Sequence, residues 1–444
     1  MLKPVFRALC MGLAVLALAG LPVRGDYQLG LESFKKGDYK RAIEEFNLEI
    51  QKHPNYDYGH FMLGVSHLKL KQYDQALTHL KKAAELDKEK LVYHANLAQA
   101  YTELKQWDNV VKALEGKTSL RATPDVSAQA HFLLGYGDFN TRQYAKAVEQ
   151  LSAAKKLTPT EFKVLSPLGV ALYLEGSYDE AISTLSAAAK LNPKHSQTNQ
   201  YLGEAYLAKA QRETDAQRKK MLYQSATKFA EESARLAGAQ DFDAVNLLGR
   251  AYLGSDRFKE AVDAFEKAIQ LNPKHAYAHV NRGEAFKGLK DWKSAVAEYE
   301  KAAEILSNDP EVLGKLAYAY EQVAKDPADA GASLDRALTA YNKANSLKPK
   351  AAVKDAIARV QQNIQIREDN KAIAAENTKI EEENARRQAE YEAKVKEQEE
   401  YEKRRKQYLE DKGLVEKGSD KPASGGTPSA SQPDKQESTG GTER

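Results

Sequence analysis

An all-α architecture of stacked two-helix units is what this sequence predicts. Three observations carry that expectation: a short motif recurs about every 34 residues, alanine, leucine, lysine and glutamate dominate the composition, and only 14 prolines are present, many at equivalent places in the pattern. A chain of 444 residues is too long for one compact core, so either an array or several domains must divide it.

The earliest element is the stretch 1–25. Lys3 and Arg7 precede an apolar run from Ala8 to Leu21, and small residues stand at Ala17, Ala19 and Gly25, the pattern of a secretory signal peptide. The run is about 14 residues, short of the roughly 20 that a spanning helix needs, so cleavage after Ala19 or Gly25 is expected over retention as an anchor. No later segment reads as a membrane span. The only cysteine, Cys10, lies inside the run without small residues before it, which argues against a lipoprotein anchor. Without the leader no thiol remains for a disulfide, a nucleophile or a metal, and oxidising compartments are permitted. Loss of Lys3, Arg7 and Arg24 also brings acids and bases into balance, so no clustered positive field points to nucleic acid. The expected location is periplasmic or secreted, with association at the outer membrane included.

The next element, residues 26–350, carries the repeat. Leu29-Gly30, Leu63-Gly64, Leu134-Gly135, Leu168-Gly169, Leu202-Gly203 and Leu248-Gly249 are each one motif. An alanine follows most of them about twelve residues later, at Ala42, Ala76, Ala147, Ala181 and Ala261, and Gly283 with Ala295 repeats that interval. The unit from Phe242 to Ala276 has the whole set: Leu248, Gly249, Tyr252, Ala261, Phe265, Ala268 and Pro273. Small residues at Gly249 and Ala261 let two antiparallel helices approach, the rings fill the space around them, and Pro273 stops the second helix. This pattern resembles the tetratricopeptide repeat, and nine units begin near residues 23, 57, 91, 128, 162, 196, 242, 276 and 310. The resemblance implies a right-handed superhelical solenoid with a long concave face. The third unit is degenerate, with Ala98 for glycine and Val110 for alanine. The sixth and ninth carry insertions near 209–220 and 325–333, read either as longer helices or as local irregularities.

In the family that the repeats resemble, the second, fifth, ninth and twelfth positions of each first helix line the concave face. Transferred here, they name Tyr58, Phe61, Val65 and Leu68, then Gln129, Phe132, Tyr136 and Phe139, then Lys163, Val170 and Tyr173. That stretch is apolar and aromatic, so the candidate peptide-binding groove is Tyr58, Phe61, Val65, Leu68, Phe132, Tyr136, Phe139 and Tyr173. The competing reading is that several of these rings pack against the neighbouring unit. Later units give a polar face of mixed charge, from Asp243, Asn246 and Arg250 to Glu311, Tyr318 and Glu321.

Residues 351–416 form the third element, a capping helix that continues as a long charged one. Proline is absent and glycine waits until Gly413, while Glu400 with Arg404 and Glu402 with Lys406 are acid-first pairs four apart. Ile366, Ile373 and Ile380 are spaced by seven, but Arg387 follows, so a solitary helix is favoured over weak self-association through a short seam. Residues 417–444, rich in Gly, Ser, Pro and Thr, read as a disordered tail. No phosphate loop, His-Glu-x-x-His, Gly-x-Ser-x-Gly or spaced metal cluster occurs, so neither cofactor nor metal is expected. His60, His94 and His131 share the fourth position of their units and read as helix-face residues. The favoured function is a non-enzymatic scaffold in the cell envelope that holds a peptide or helix of another protein. An assembly subunit of a secretion, pilus or polysaccharide-export machine differs from it only in the partner held. An enzyme survives only if a site hides in the insertions.

Overall fold

The computed structural model of the chain describes residues 25–414, so the leader (apart from Gly25) and the tail lie outside the described residues. Among the described residues there are 19 helices and no strand. They run as nine antiparallel pairs: α1 (Gly25–Lys35) with α2 (Tyr39–Lys52), α3 (Asp57–Lys69) with α4 (Tyr73–Leu86), α5 (Leu91–Glu103) with α6 (Trp107–Leu114), α7 (Pro124–Asn140) with α8 (Tyr144–Leu157), and α9 (Phe162–Glu175) with α10 (Tyr178–Leu191). The remaining pairs are α11 (Ser196–Arg212) with α12 (Ala216–Ala237), α13 (Phe242–Gly254) with α14 (Phe258–Leu271), α15 (Ala276–Gly288) with α16 (Trp292–Ile305), and α17 (Pro310–Val323) with α18 (Ala330–Leu347), before α19 (Ala351–Asp411).

The seventh pair shows why the motif has its spacing. The Asp241 side chain accepts a hydrogen bond from the backbone N–H of Ala244 and so caps α13. A Cβ at Gly249 would stand 2.7 Å from the Phe265 ring, so only glycine admits that ring between the helices. Ala261, Ala268 and Phe265 are fully buried at the same crossing. The turn between the helices needs one residue in the left-handed region, here Asp256 at φ 58°, and Lys71, Lys105, Arg142 and Lys290 repeat it at φ 56–63°.

Each second helix packs on its own partner and, from α2 to α16, on the first helix of the next unit. First helices also touch one another from α3 through α15, and no pair of successive second helices makes contact of similar extent. The first helices therefore form the shorter, inner arc of the array. Departures from regularity have local causes. In the third unit α6 has only 8 residues. The fourth unit starts at Pro124, ahead of residue 128, because proline suits the first helical position. The insertion of the sixth unit is absorbed as helix, giving α11 17 residues and α12 22, whereas that of the ninth becomes turns before α18.

The compact unit closes at Ile364, fourteen residues into α19. Ala356 and Val360 are buried with Tyr341 and Leu316, and Arg359 grips Glu321 through two hydrogen bonds of 2.7 and 2.9 Å. Residues 365–411 are exposed almost throughout and carry ion pairs four apart, Glu383–Arg387, Arg386–Glu390 and Glu400–Arg404. Among the described residues no helix is long and apolar enough to cross a membrane.

Candidate functional site

The inner arc is the surface on which the sequence places its candidates, and the structure divides them. Tyr58, Phe61 and Val65 are 7, 1 and 2% exposed. The Tyr58 and Phe61 rings join Tyr27 of the first unit and Tyr93 of the third, with centroids 5.2 Å apart for Tyr27–Tyr58 and 4.8 Å for Phe61–Tyr93. These two rings bind unit to unit, Val65 is buried in the same core, and of the early set only Leu68 stays half-buried.

The fourth and fifth units behave otherwise. Phe132, Tyr136 and Phe139 lie near-parallel and offset, with centroid separations of 5.8 and 6.4 Å and ring planes within 20° and 9°. Phe132 and Phe139 remain half-buried, while Tyr136 is 9% exposed. Tyr173 is half-buried beside Tyr201 at 5.7 Å and turns its hydroxyl toward Glu204. Burial, and then the Glu204 charge, push that phenol up to about 12, so it remains a hydrogen-bond donor at any ordinary pH.

Several neighbours of these rings lie outside the four inner positions of the first helices. Trp107 meets Tyr136 edge-on at 5.5 Å, Tyr144 meets Phe139 at 5.9 Å, and Tyr178 meets Tyr173 at 5.9 Å. Each opens a second helix, as do Tyr39, Tyr73, Phe258 and Trp292. Their regular return two residues after the left-handed turn, where that turn is Lys71, Lys105, Arg142, Asp256 or Lys290, was the signal that could have found them.

The polar half of the arc is charged but internally matched. Arg250 Nη1 donates to both oxygens of Glu204 at 2.8 and 2.9 Å. Glu284 accepts from Lys287 at 2.9 Å and from Lys315 of the next unit, which together hold its carboxyl below the usual range against the opposing effect of burial. Glu321 is engaged by Arg359 and by the Tyr341 hydroxyl. Arg250–Glu204 and Lys315–Glu284 link one unit to the next and Arg359–Glu321 links the ninth unit to α19, so their charge is spent on the array rather than offered to a partner. Beside them lies an open cleft of ≈ 410 Å³ lined by Lys315, Tyr318, Gly314 and Lys348.

The histidines at the fourth position have a structural task. His60, His94 and His279 each direct Nε2 at the carbonyl six residues earlier, on Pro54, Lys88 and Pro273, at 3.0, 3.0 and 3.1 Å. Asn199 does the same to Pro193 at 3.0 Å. The other ring nitrogen reaches the second helix of the same unit, from His60 to His79, His131 to Gln150 and His279 to Glu298. His79 stacks between His60 and His67, and burial together with those two neighbours lowers its pKa to about 4. Among the described residues no group of three or more His, Cys, Asp or Glu is placed to hold a metal ion.

Family models described as tetratricopeptide repeat match residues 57–90, 132–196 and 246–310, which are the second unit, most of the fourth with the fifth, and most of the seventh with the eighth. No curated protein matches the chain. Among solved structures, "MamA MSR-1 C2" is 21% identical over 41% of this chain and 98% of its own, with a TM-score of 0.36. "MamA 41-end from Desulfovibrio magneticus RS-1" is 23% identical over 40% and 95%, also at 0.36, and "Crystal structure of MamA protein" is 22% identical over 43% and 96% at 0.35. The chain is an all-helical array that carries tetratricopeptide repeats and is followed by a long helix.

Proposed function

We propose that this protein is a non-enzymatic scaffold of the cell envelope whose array holds an extended or helical segment of another protein against the inner face of the fourth to sixth units. Tetratricopeptide repeats suit it to protein interaction. The observation that carries the finer reading is the row in which half-buried Phe132 and Phe139 flank the buried Tyr136, continued by half-buried Tyr173, which leaves part of its aromatic area at the surface of the inner arc where the later units neutralise themselves. Rings held rigid by their neighbours bury large area on a partner at low cost in side-chain entropy. The leader sequence of residues 1–25 supports export, and the pure repeat character of the array supports holding over catalysis.

The test is capture of partners from envelope extract by the full chain and by two variants. Phe132→Ser with Phe139→Ser should weaken capture by about tenfold or more while circular dichroism stays unchanged. Lys348→Ala, on the cleft beside the ion pairs, should capture as the parent does. Undiminished capture by the double serine variant, with helicity intact, would remove the groove from this row. The envelope assignment is checked separately by the mass and fraction of the protein in cells: a chain that keeps residues 1–25 in the cytosolic fraction contradicts it.

A further inference from the structure

Six residues of α19 form a single stripe. Ile366, Asn370, Ile373, Asn377, Ile380 and Asn384 follow one another at alternating intervals of four and three, so the same side of the helix carries an isoleucine and an asparagine in every seven residues. The isoleucines are 48, 55 and 49% exposed, and all three asparagines are exposed. A solvated helix surface has no need of either regularity. Exposed isoleucine at every seventh position asks for a covering surface, and the asparagines say which one.

We propose that residues 366–391 of two copies of this chain pair as a parallel, in-register, two-stranded coiled coil in which isoleucine layers alternate with asparagine layers. A carboxamide is both donor and acceptor, so the group that satisfies it best when buried is another carboxamide. A second copy running parallel and in register sets Asn370 opposite Asn370, and likewise Asn377 and Asn384. An antiparallel copy sets asparagine against isoleucine and strands a polar group at every such layer. A partner of unrelated sequence meets the requirement only by repeating it. Isoleucine layers alone admit three strands, and asparagine in the alternate layers selects register and two strands at a cost in stability.

The stripe weakens toward its far end, where Arg387 interrupts it before Tyr391 resumes the spacing; Tyr401 and Tyr408 fall on the isoleucine register again. Acidic residues flank the seam, Asp369, Glu376 and Glu383 on one side and Glu381 on the other. In the parallel pair Glu376 of one copy stands near Glu381 of the other, so pairing tightens as salt screens the repulsion.

Disulfide trapping in the full chain tests this, with Cys10→Ser to remove the native thiol. Asn370→Cys and Asn384→Cys should each link to itself under mild oxidation, about tenfold faster than Glu382→Cys on the opposite face of the helix. A mixture of Asn370→Cys and Ile380→Cys chains, positions that only an antiparallel pair brings face to face, should give the two self-linked products and almost no mixed one, and each product should have the mass of two chains. Adding Ile373→Asp to the Asn370→Cys chain should remove the linkage while leaving helicity unchanged. A predominant mixed product shows antiparallel pairing. That result, equal linkage at Glu382→Cys, no linkage at either asparagine position, or a mass other than two chains overturns the proposal.

Discussion

Asp138 stands three residues after Gly135, where Tyr101, Tyr206, Tyr252, Phe286 and Tyr320 stand in other units. It is 2% exposed, its Oδ1 has no hydrogen-bond partner, and burial pushes its carboxyl up to about 6, against the attraction of Lys146 and with the help of Glu115 and Glu149. At neutral pH the fold therefore carries an ionised group that water would solvate better. Between the ordinary value of 3.8 and about 6 the folded chain holds a proton that the unfolded chain has released, so stability falls as pH rises through that window. Asp138→Asn removes the charge, and its melting temperature should exceed the parent's by about 2–4 °C at pH 7, with the gap closing below about pH 4. A gap that persists in acid would assign the effect to shape rather than charge. The sequence displays an acid at an aromatic position; it does not display that Oδ1 goes without a donor or that Glu115, just after the short α6, adds to the effect of burial. The same holds for Tyr58 and Phe61, whose burial is decided by Tyr27 and Tyr93, rings one unit away on either side.

Within a helix pair, the two small residues do different things from glycines elsewhere. A Cβ at Gly135 would lie 2.8 Å from Leu151 Cγ and 3.0 Å from its backbone nitrogen, so part of the obstacle is main chain that no rotamer change removes. Gly314, inside α17 and facing the open cleft, has nothing within 4 Å of that point. Opposite signs are expected. Gly135→Ala should destabilise by about 1–3 kcal/mol, as overpacking does, whereas Gly314→Ala should stabilise by about 0.5–1 kcal/mol, the helix-propensity difference. Thermal or urea melts of both variants check this, and destabilisation by Gly314→Ala would mean that the inner arc is tighter there than its geometry shows. Most of this level was legible in the sequence, since Leu-Gly, the alanine about twelve residues on and the proline stop are local signals. Pair boundaries followed them closely, and the fourth unit moved only because Thr123-Pro124 offers an earlier start. The insertion in α11 and α12 left two readings open because its Lys-, Gln- and Ala-rich sequence suits a helix as well as a loop, and packing of α12 on both neighbours decided for helix.

At the scale of the array, no pair of helices has a closed core of its own. Buried clusters run across unit boundaries, as in the one that joins Val280, Leu316, Tyr341 and Val360 from α15 to α19. An array held by nearest neighbours has ends that must be sealed, and here the first fourteen residues of α19 close the ninth unit with Ala356, Val360 and the Arg359–Glu321 pair. Sequence alone shows a helix beginning there, but not that the seal stops at Ile364, since helix-forming residues run on without a break past it. If coupling is local, breaking the seal should loosen the array from that end inward. Val360→Asp places an unpaired charge at a fully buried position, an effect of about 3 kcal/mol or more on the last unit. Hydrogen–deuterium exchange should then rise in α17 and α18, and less in α15 and α16, while α3 to α10 keep the protection of the parent, and capture by the Phe132 row should survive. Uniform loss of protection from α1 to α18 would show that the array melts as one cooperative body, and that a partner held at its middle is sensed at both ends.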